Sequence, residues 1–343
     1  MLSRMILRPK SPDALRMTPA LTSSTSPVVA VPTWLRRAVP DAQSLGPKGL
    51  EDIAIAAGAA IGALDAVVRR QERWAGAWRQ RLALGAAAVA TRQAGRVEDE
   101  AALRDAVLLT RPGDDVGPAG RMLLAWRRLA ARPAEELLTG PSIAGVLEAL
   151  GLARDVETAN ELANELRKLA ATEGAVGMLV GAFAAVERQG LPRTVGCWFA
   201  DAMLAQRLGW THAVPLTGGE AAGANGSGRP RRGSTILPPK GIEADPERAK
   251  ILLAAQARAA LRVIDQSADI ERRADRLIAV APGLRARGAD VVVDRLLSDD
   301  ASVASAKIAG MSDRSLRRLF ERLVELGAVR ELSGRATFRI YGI

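Results

Sequence analysis

The sequence predicts a mainly α protein, an Ala-rich bundle of several helices with a small mixed segment at its C-terminal end. Three observations predict it. Apolar residues are 48% of the 343, enough to fill a large core. Aromatics are only 3%, and a core rich in Ala but poor in Phe and Tyr suits closely packed helices better than a β-sandwich. Apolar residues recur at helical spacing from about residue 50, and this rhythm changes to short alternating runs only near residue 329.

Residues 1–46 are expected to be a disordered tail. Ser, Thr and Pro dominate it, as in Thr22-Ser23-Ser24-Thr25-Ser26-Pro27, and only Trp34 and Leu35 look able to dock on a core. The bundle is expected over 47–216. Its first helix, Gly49 to Arg70, carries Ile53, Ala57, Ala60, Ile61, Leu64 and Val68 on one side. Its second, Trp74 to Ala94, aligns Trp78, Leu82 and Val89. Glu98-Asp99-Glu100 opens a third, since acidic residues favour the positive end of the helix dipole. That helix stops at Arg111-Pro112-Gly113, and Pro118 fits the first turn of a fourth that runs to Ala131. Ser142, Asp155 and Pro192 mark three later starts. A linker rich in Gly and Pro, with the solvated basic run Arg229, Arg231 and Arg232, is expected over 217–241. Residues 242–288 hold one long helix, with Asp245 as N-cap and Pro246 in its first turn. It either completes the bundle or leaves it as an arm.

Residues 289–343 read as helix, helix, helix, strand, turn, strand. Asp290 to Leu297 is the first helix and Ser302 to Ala309 the second. Gly310-Met311 turns the chain, Ser312 caps a third helix from Asp313 to Leu326, and Gly327 stops it. Val329 to Leu332 and Thr337 to Tyr341 then flank a turn at Ser333–Ala336. That order is a winged helix-turn-helix with a two-stranded wing. At 100° per residue, Leu316, Leu319, Phe320, Leu323 and Leu326 form the core side of the third helix. Arg314, Arg317 and Arg318 lie largely opposite, with Ser315, in the two turns a recognition helix uses to enter a major groove. Arg335 sits at the wing tip. These five residues are the candidate contacts to double-stranded DNA. Glu321 and Glu325 lie further along the same face, where they would pair with Arg317, Arg318 or Arg322 and repel phosphate.

The remaining chemistry is narrow. One Cys and one His exclude an intramolecular disulfide, a Cys-based zinc site and a multi-His metal site. No Walker A pattern, dinucleotide fingerprint or Gly-x-Ser-x-Gly elbow is present, so no enzyme activity, cofactor or metal is expected. Glu98, Asp99, Glu100, Asp105, Asp114 and Asp115 are the densest acidic group, but their spacing matches no cation loop, and Glu100 can pair with Arg104. An enzyme at this loop would need Asp114, Asp115 and Arg121 to converge in a pocket. His212 and Cys197 read as structural, the latter as a small buried hydrophobe.

No apolar run reaches the ~18–20 residues of a membrane span, the longest being broken by Asp65. Arg4, Arg8 and Lys10 are followed by no continuous apolar region, so a signal peptide is not expected and a cytoplasmic protein is. Net charge is +10, distributed as +5 over 1–49, −1 over 50–216, +3 over 217–241 and +3 over 242–343. The central bundle is neutral.

The expected role is DNA binding or regulation through the winged helix, with the bundle used for dimerisation, sensing or partner binding. The alternative is a non-enzymatic interaction or structural protein whose winged helix packs on the bundle and does not bind DNA. Residues 74–85 (WAGAWRQRLALG), 95–130 and 317–343 (RRLFERLVELGAVRELSGRATFRIYGI) resemble a bacterial domain-of-unknown-function family, number 1403, over most of 45–343. The resemblance implies no activity. Residues 326–335, Leu326-Gly327 through Arg330-Glu331 to Ser333-Gly334-Arg335, are also similar to the winged helix that ends many Fic-type proteins. Fic catalysis requires a His close before an unbroken Gly-Asn-Gly-Arg cradle. Here His212 lies thirteen residues before Asn225 and an extra residue splits the cradle in Gly223-Ala-Asn225-Gly226-Ser-Gly228-Arg229, so AMP transfer is not implied.

Overall fold

The computed structural model describes residues 31–41, 43–220, 246–335 and 337–343. The basic run at Arg229–Arg232, most of the expected linker and the first thirty residues of the expected tail lie outside these. The protein is mainly α. After a short α1 (Thr33–Ala38), the bundle consists of α2 (Leu50–Arg69), α3 (Ala75–Gln93), α4 (Glu100–Leu108), α5 (Gly117–Ala131), α6 (Gly140–Ala149), α7 (Val156–Thr172), α8 (Ala175–Arg188) and α9 (Arg193–Leu208). The long α10 (Pro246–Val280) completes it, packing along α2 and against α3 and α8. α3 pairs with α5, α6 with α7 and α8 with α9.

Local chemistry sets most boundaries. The Asp99 and Asp155 side chains accept from the backbone N–H of Ala102 and Thr158, capping α4 and α7. The start expected at Ser142 belongs to Thr139, whose hydroxyl accepts from Ser142 N–H, so α6 begins earlier. The few aromatics act as staples. Indole N–H groups of Trp78, Trp198 and Trp210 donate to Val263 O, Ala125 O and Asp65 Oδ1, tying α3 to α10, α9 to α5, and the end of α9 to α2. Elsewhere Ala and Gly let backbones close up. A Cβ on Gly76 would lie 2.7 Å from the Ser298 carbonyl oxygen.

Two expected boundaries are corrected. The tail is not structureless to residue 46. α1 buries Leu35, while Trp34 stays exposed, and the segment lies along α10. Arg36 pairs with Asp265 at 2.6 Å, Arg258 donates to Pro40 O, Lys250 to Gly46 O, and Leu45 is buried. Nor does the linker begin at Thr217. Asp201 on α9 is fully buried and accepts from Leu216 N–H, Thr217 N–H and the Thr217 hydroxyl at 2.7, 3.0 and 2.9 Å. This draws a 3-10 turn, Thr217–Glu220, onto the bundle.

The C-terminal unit comprises α11 (Ala289–Ser298), β1 (Ser302–Val303), α12 (Asp313–Glu325), β2 (Arg330–Glu331) and β3 (Ile340–Gly342). Its second expected helix is absent. Ser302 and Val303 instead pair antiparallel with Tyr341 and Ile340, and Ala304 through Met311 follow as turns. The sheet therefore has three strands in the order β1-β3-β2, not a two-stranded wing alone. β3 starts three residues later than expected, because Phe338 adopts φ +55° and cannot continue a ladder.

Candidate nucleic-acid interface

α12 is built as its sequence dictates. Ser312 caps it, accepting from Ser315 N–H at 3.3 Å. Leu316, Leu319, Phe320 and Leu323 are buried, and Phe320 stacks on Tyr341 of β3 with centroids 4.4 Å apart. Leu326, expected with them, is 40% exposed, since the helix ends there and Gly327 turns the chain away at φ +65°.

Arg314, Arg317 and Arg318 are exposed on the opposite side, and none forms an ion pair among the described residues. The pairing expected from Glu321 and Glu325 is confined to Arg322 and Glu325 at 3.1 Å. The ridge is flanked by two grooves. One, of about 450 Å³, faces the residues leading into β3 and is lined by Asp313, Arg317, Glu321, Phe338 and Arg339. The other, of about 610 Å³, faces the end of α10 and is lined by Val280, Leu284, Arg285, Ser315, Arg318 and Arg322. Ser315 is thus on a flank, and its hydroxyl lies 2.9 Å from that of Ser312. The structure gathers four of the five candidates on α12. It ties the fifth, Arg335, to Asp105 of α4.

That contact belongs to a joint between the C-terminal unit and the bundle. Asp300 is buried there and accepts from Nε of both Arg81 and Arg104, the latter at 2.6 Å. Arg81 also donates to the carbonyls of Asp300 and Ile343. Burial alone would raise the Asp300 pKa, but the two guanidiniums outweigh it and hold the carboxyl below its usual range. Arg127 lies close enough to feel Asp300 and Asp299, and its Nε and Nη2 are buried without a hydrogen-bond partner. Burial lowers its pKa.

Several of the other candidate groups have structural partners. Asp99 is a cap, Glu100 lies 3.8 Å from Arg104, and Asp115 accepts from Gly117 N–H while its carboxylate is 4.0 Å from Arg121. Among the described residues no group of three or more His, Cys, Asp or Glu could hold a metal ion. Cys197 is buried in α9, and burial pushes its thiol up to about 12, far from a thiolate at neutral pH. His212 is bridged to Pro133 by backbone pairing. Asn225 and the rest of the split cradle lie outside the described residues. No helix among the described residues is long and apolar enough to cross a membrane.

Sequence reasoning missed two features. The Asp300 joint has no local signal, because its partners lie some two hundred positions away. A second arginine cluster, Arg272, Arg273 and Arg276 on α10 facing Arg330, is half visible as three Arg within five residues of one helix. Among known families, the one described as a protein of unknown function (DUF1403) matches residues 19–343. No curated protein and no solved structure matches the chain.

Proposed function

Since the chain belongs to this family of proteins of unknown function (DUF1403), we propose from its geometry that it is a non-enzymatic, cytoplasmic DNA-binding protein. Its contact with double-stranded DNA is made by the first two turns of α12. One observation carries the reading: Arg314, Arg317 and Arg318 stand exposed and, among the described residues, without ion pairs on a capped helix whose opposite side buries Leu316, Leu319, Phe320 and Leu323. Guanidiniums so placed suit phosphate oxygens or the O6/N7 edge of guanine. Glu321 and Glu325 on the next turns repel phosphate and confine the contact made by α12 itself to its N-terminal half. The bundle serves dimerisation, sensing or partner binding, and a dimer would present two copies of α12 to a two-fold site.

The test is fluorescence anisotropy of a labelled duplex across a salt series. Replacing Arg314, Arg317 and Arg318 together by Ala is expected to abolish binding with the circular dichroism spectrum unchanged. Three phosphate contacts correspond to a log–log salt slope of about −2.7. Equal affinity and slope for variant and wild type would reject the assignment.

A second reading has its own support. Arg335 is engaged by Asp105, and the Asp300 joint fixes the C-terminal unit to α3 and α4. An interaction protein whose C-terminal unit is a structural part of the bundle would need both contacts, and would show no duplex binding at any salt concentration.

A further inference from the structure

The groove between the C-terminal half of α10 and the start of β2, about 390 Å³ in volume, is lined by Arg272, Arg273, Arg276 and Arg330, with Asp269 as its one acidic side chain and Ile343, whose oxygen accepts from Arg81, also in the lining. Asp269 is shared by two of the four, lying 3.1 Å from Arg272 and 2.6 Å from Arg273. Arg276 and Arg330 enter no ion pair among the described residues. Burial and the positive charges of Arg273 and Arg81 weaken the hold of Arg330 on its proton, and Asp269 only partly offsets this. A cluster of like charges around one concave surface is relieved by an anion with several acceptor oxygens.

We infer that this groove is a phosphate-binding site, with Arg276 and Arg330 as its two uncommitted forks. The phosphate is that of a DNA backbone lying across α12, an identification that rests on the function proposed above. Continuity supports it. Leu326 lines the groove on the α10 flank of α12, and Gly327, the next residue, lines this one. On α10 the linings of the two grooves come within three residues of each other, at Arg276 and Ala279. A duplex held by Arg318 on the ridge therefore has a second row of guanidiniums beside it.

Both sources of phosphate are tested on the full-length protein. A duplex is titrated by anisotropy across a salt series, and inorganic tripolyphosphate by calorimetry, with wild type, R276A/R330A and R276K/R330K, each checked by circular dichroism. The expected result is a duplex affinity about tenfold lower for the Ala pair at low salt, with a slope shallower by about 0.9, one phosphate contact. The Lys pair, which keeps the charges, is expected to keep most of the slope. If wild type and the Ala pair bind duplex alike, and tripolyphosphate does not distinguish them, the site is refuted while the DNA reading stands. If no variant binds duplex but tripolyphosphate binds wild type and not the Ala pair, the site stands with a free phosphorylated molecule as its ligand, and the DNA reading falls. Binding of neither probe to wild type overturns both.

Discussion

Arg104 and Arg318 are the same side chain put to opposite uses. Arg104, with Arg81, converges on the buried Asp300, and its charge is consumed holding the C-terminal unit on the bundle. Arg318, with Arg314 and Arg317, projects from α12 into solvent with no carboxylate on it. The protein is rich in Arg throughout, so the residue type says nothing about role. What separates the two groups is whether the fold supplies a partner. In stability the two groups must therefore respond differently.

The largest difference is expected at Asp300. Asp300→Ala leaves two poorly exposed guanidiniums facing each other without their carboxylate, a loss of about 3–5 kcal/mol in urea unfolding. The triple Ala variant of the α12 arginines should change stability by roughly 1 kcal/mol or less, since surface substitutions rarely matter more. Similar losses in the two variants would erase the distinction. The acid response gives the same test a sign. The folded pKa of Asp300 is depressed, so its contribution is complete above the ordinary carboxylate range and is lost as pH falls through the folded value.

Asp201 is the opposite case, a buried carboxylate with backbone N–H donors and no ion pair among the described residues. Its hydrogen bonds from Leu216 and Thr217 favour the ionised form, but burial outweighs them and pushes the pKa up to about 7. With a raised folded value, the unfolded chain releases this proton first. The stability contributed by Asp201 should therefore decline as pH rises from about 4 to 7, on the order of 3 kcal/mol in all. Asp201→Asn removes the titration, so wild type should lose ground to the variant across that window. A difference in unfolding free energy that stays flat from pH 4 to 7 would show that Asp201 is ionised throughout.

What the sequence made legible follows the range of the interactions. Caps, stops and helical faces are local, and Asp99, Asp155, Ser312 and Gly327 act where their neighbours indicate. The exposed arginine ridge was legible for the same reason, since one helix period defines it. The failures are all long-range. Ser302–Ala309 has a composition that suits a helix, but eight residues cannot sustain one unaided, and Ser302 finds its partner in Tyr341 at the far end of the unit. Residues 33–46 look like a tail until α10 supplies Asp265, Arg258 and Lys250. Arg335 looked like a free wing tip for want of any sign that Asp105 would reach it.

The Arg335–Asp105 pair stands between the two classes of arginine, and the smallest expected effect decides which it joins. Both side chains keep contact with solvent, at 49% and 19% exposure, so the pair itself should be worth about 0–1 kcal/mol. Asp105→Asn should then leave the unfolding midpoint almost unchanged. Its effect on DNA should be larger than its effect on the fold. On the proposed function, the Asp105 carboxylate both occupies the Arg335 guanidinium and would repel an approaching phosphate, so removing its charge frees one more contact. Duplex affinity should rise about threefold, with a salt slope steeper by about 0.9. Adding Arg335→Ala should cancel that gain. If instead Asp105→Asn lowers stability by several kcal/mol and leaves duplex binding untouched, Arg335 belongs with Arg81 and Arg104 as a strut of the joint. The wing then plays no part in recognition, and any DNA contact falls to α12 and the groove beside α10.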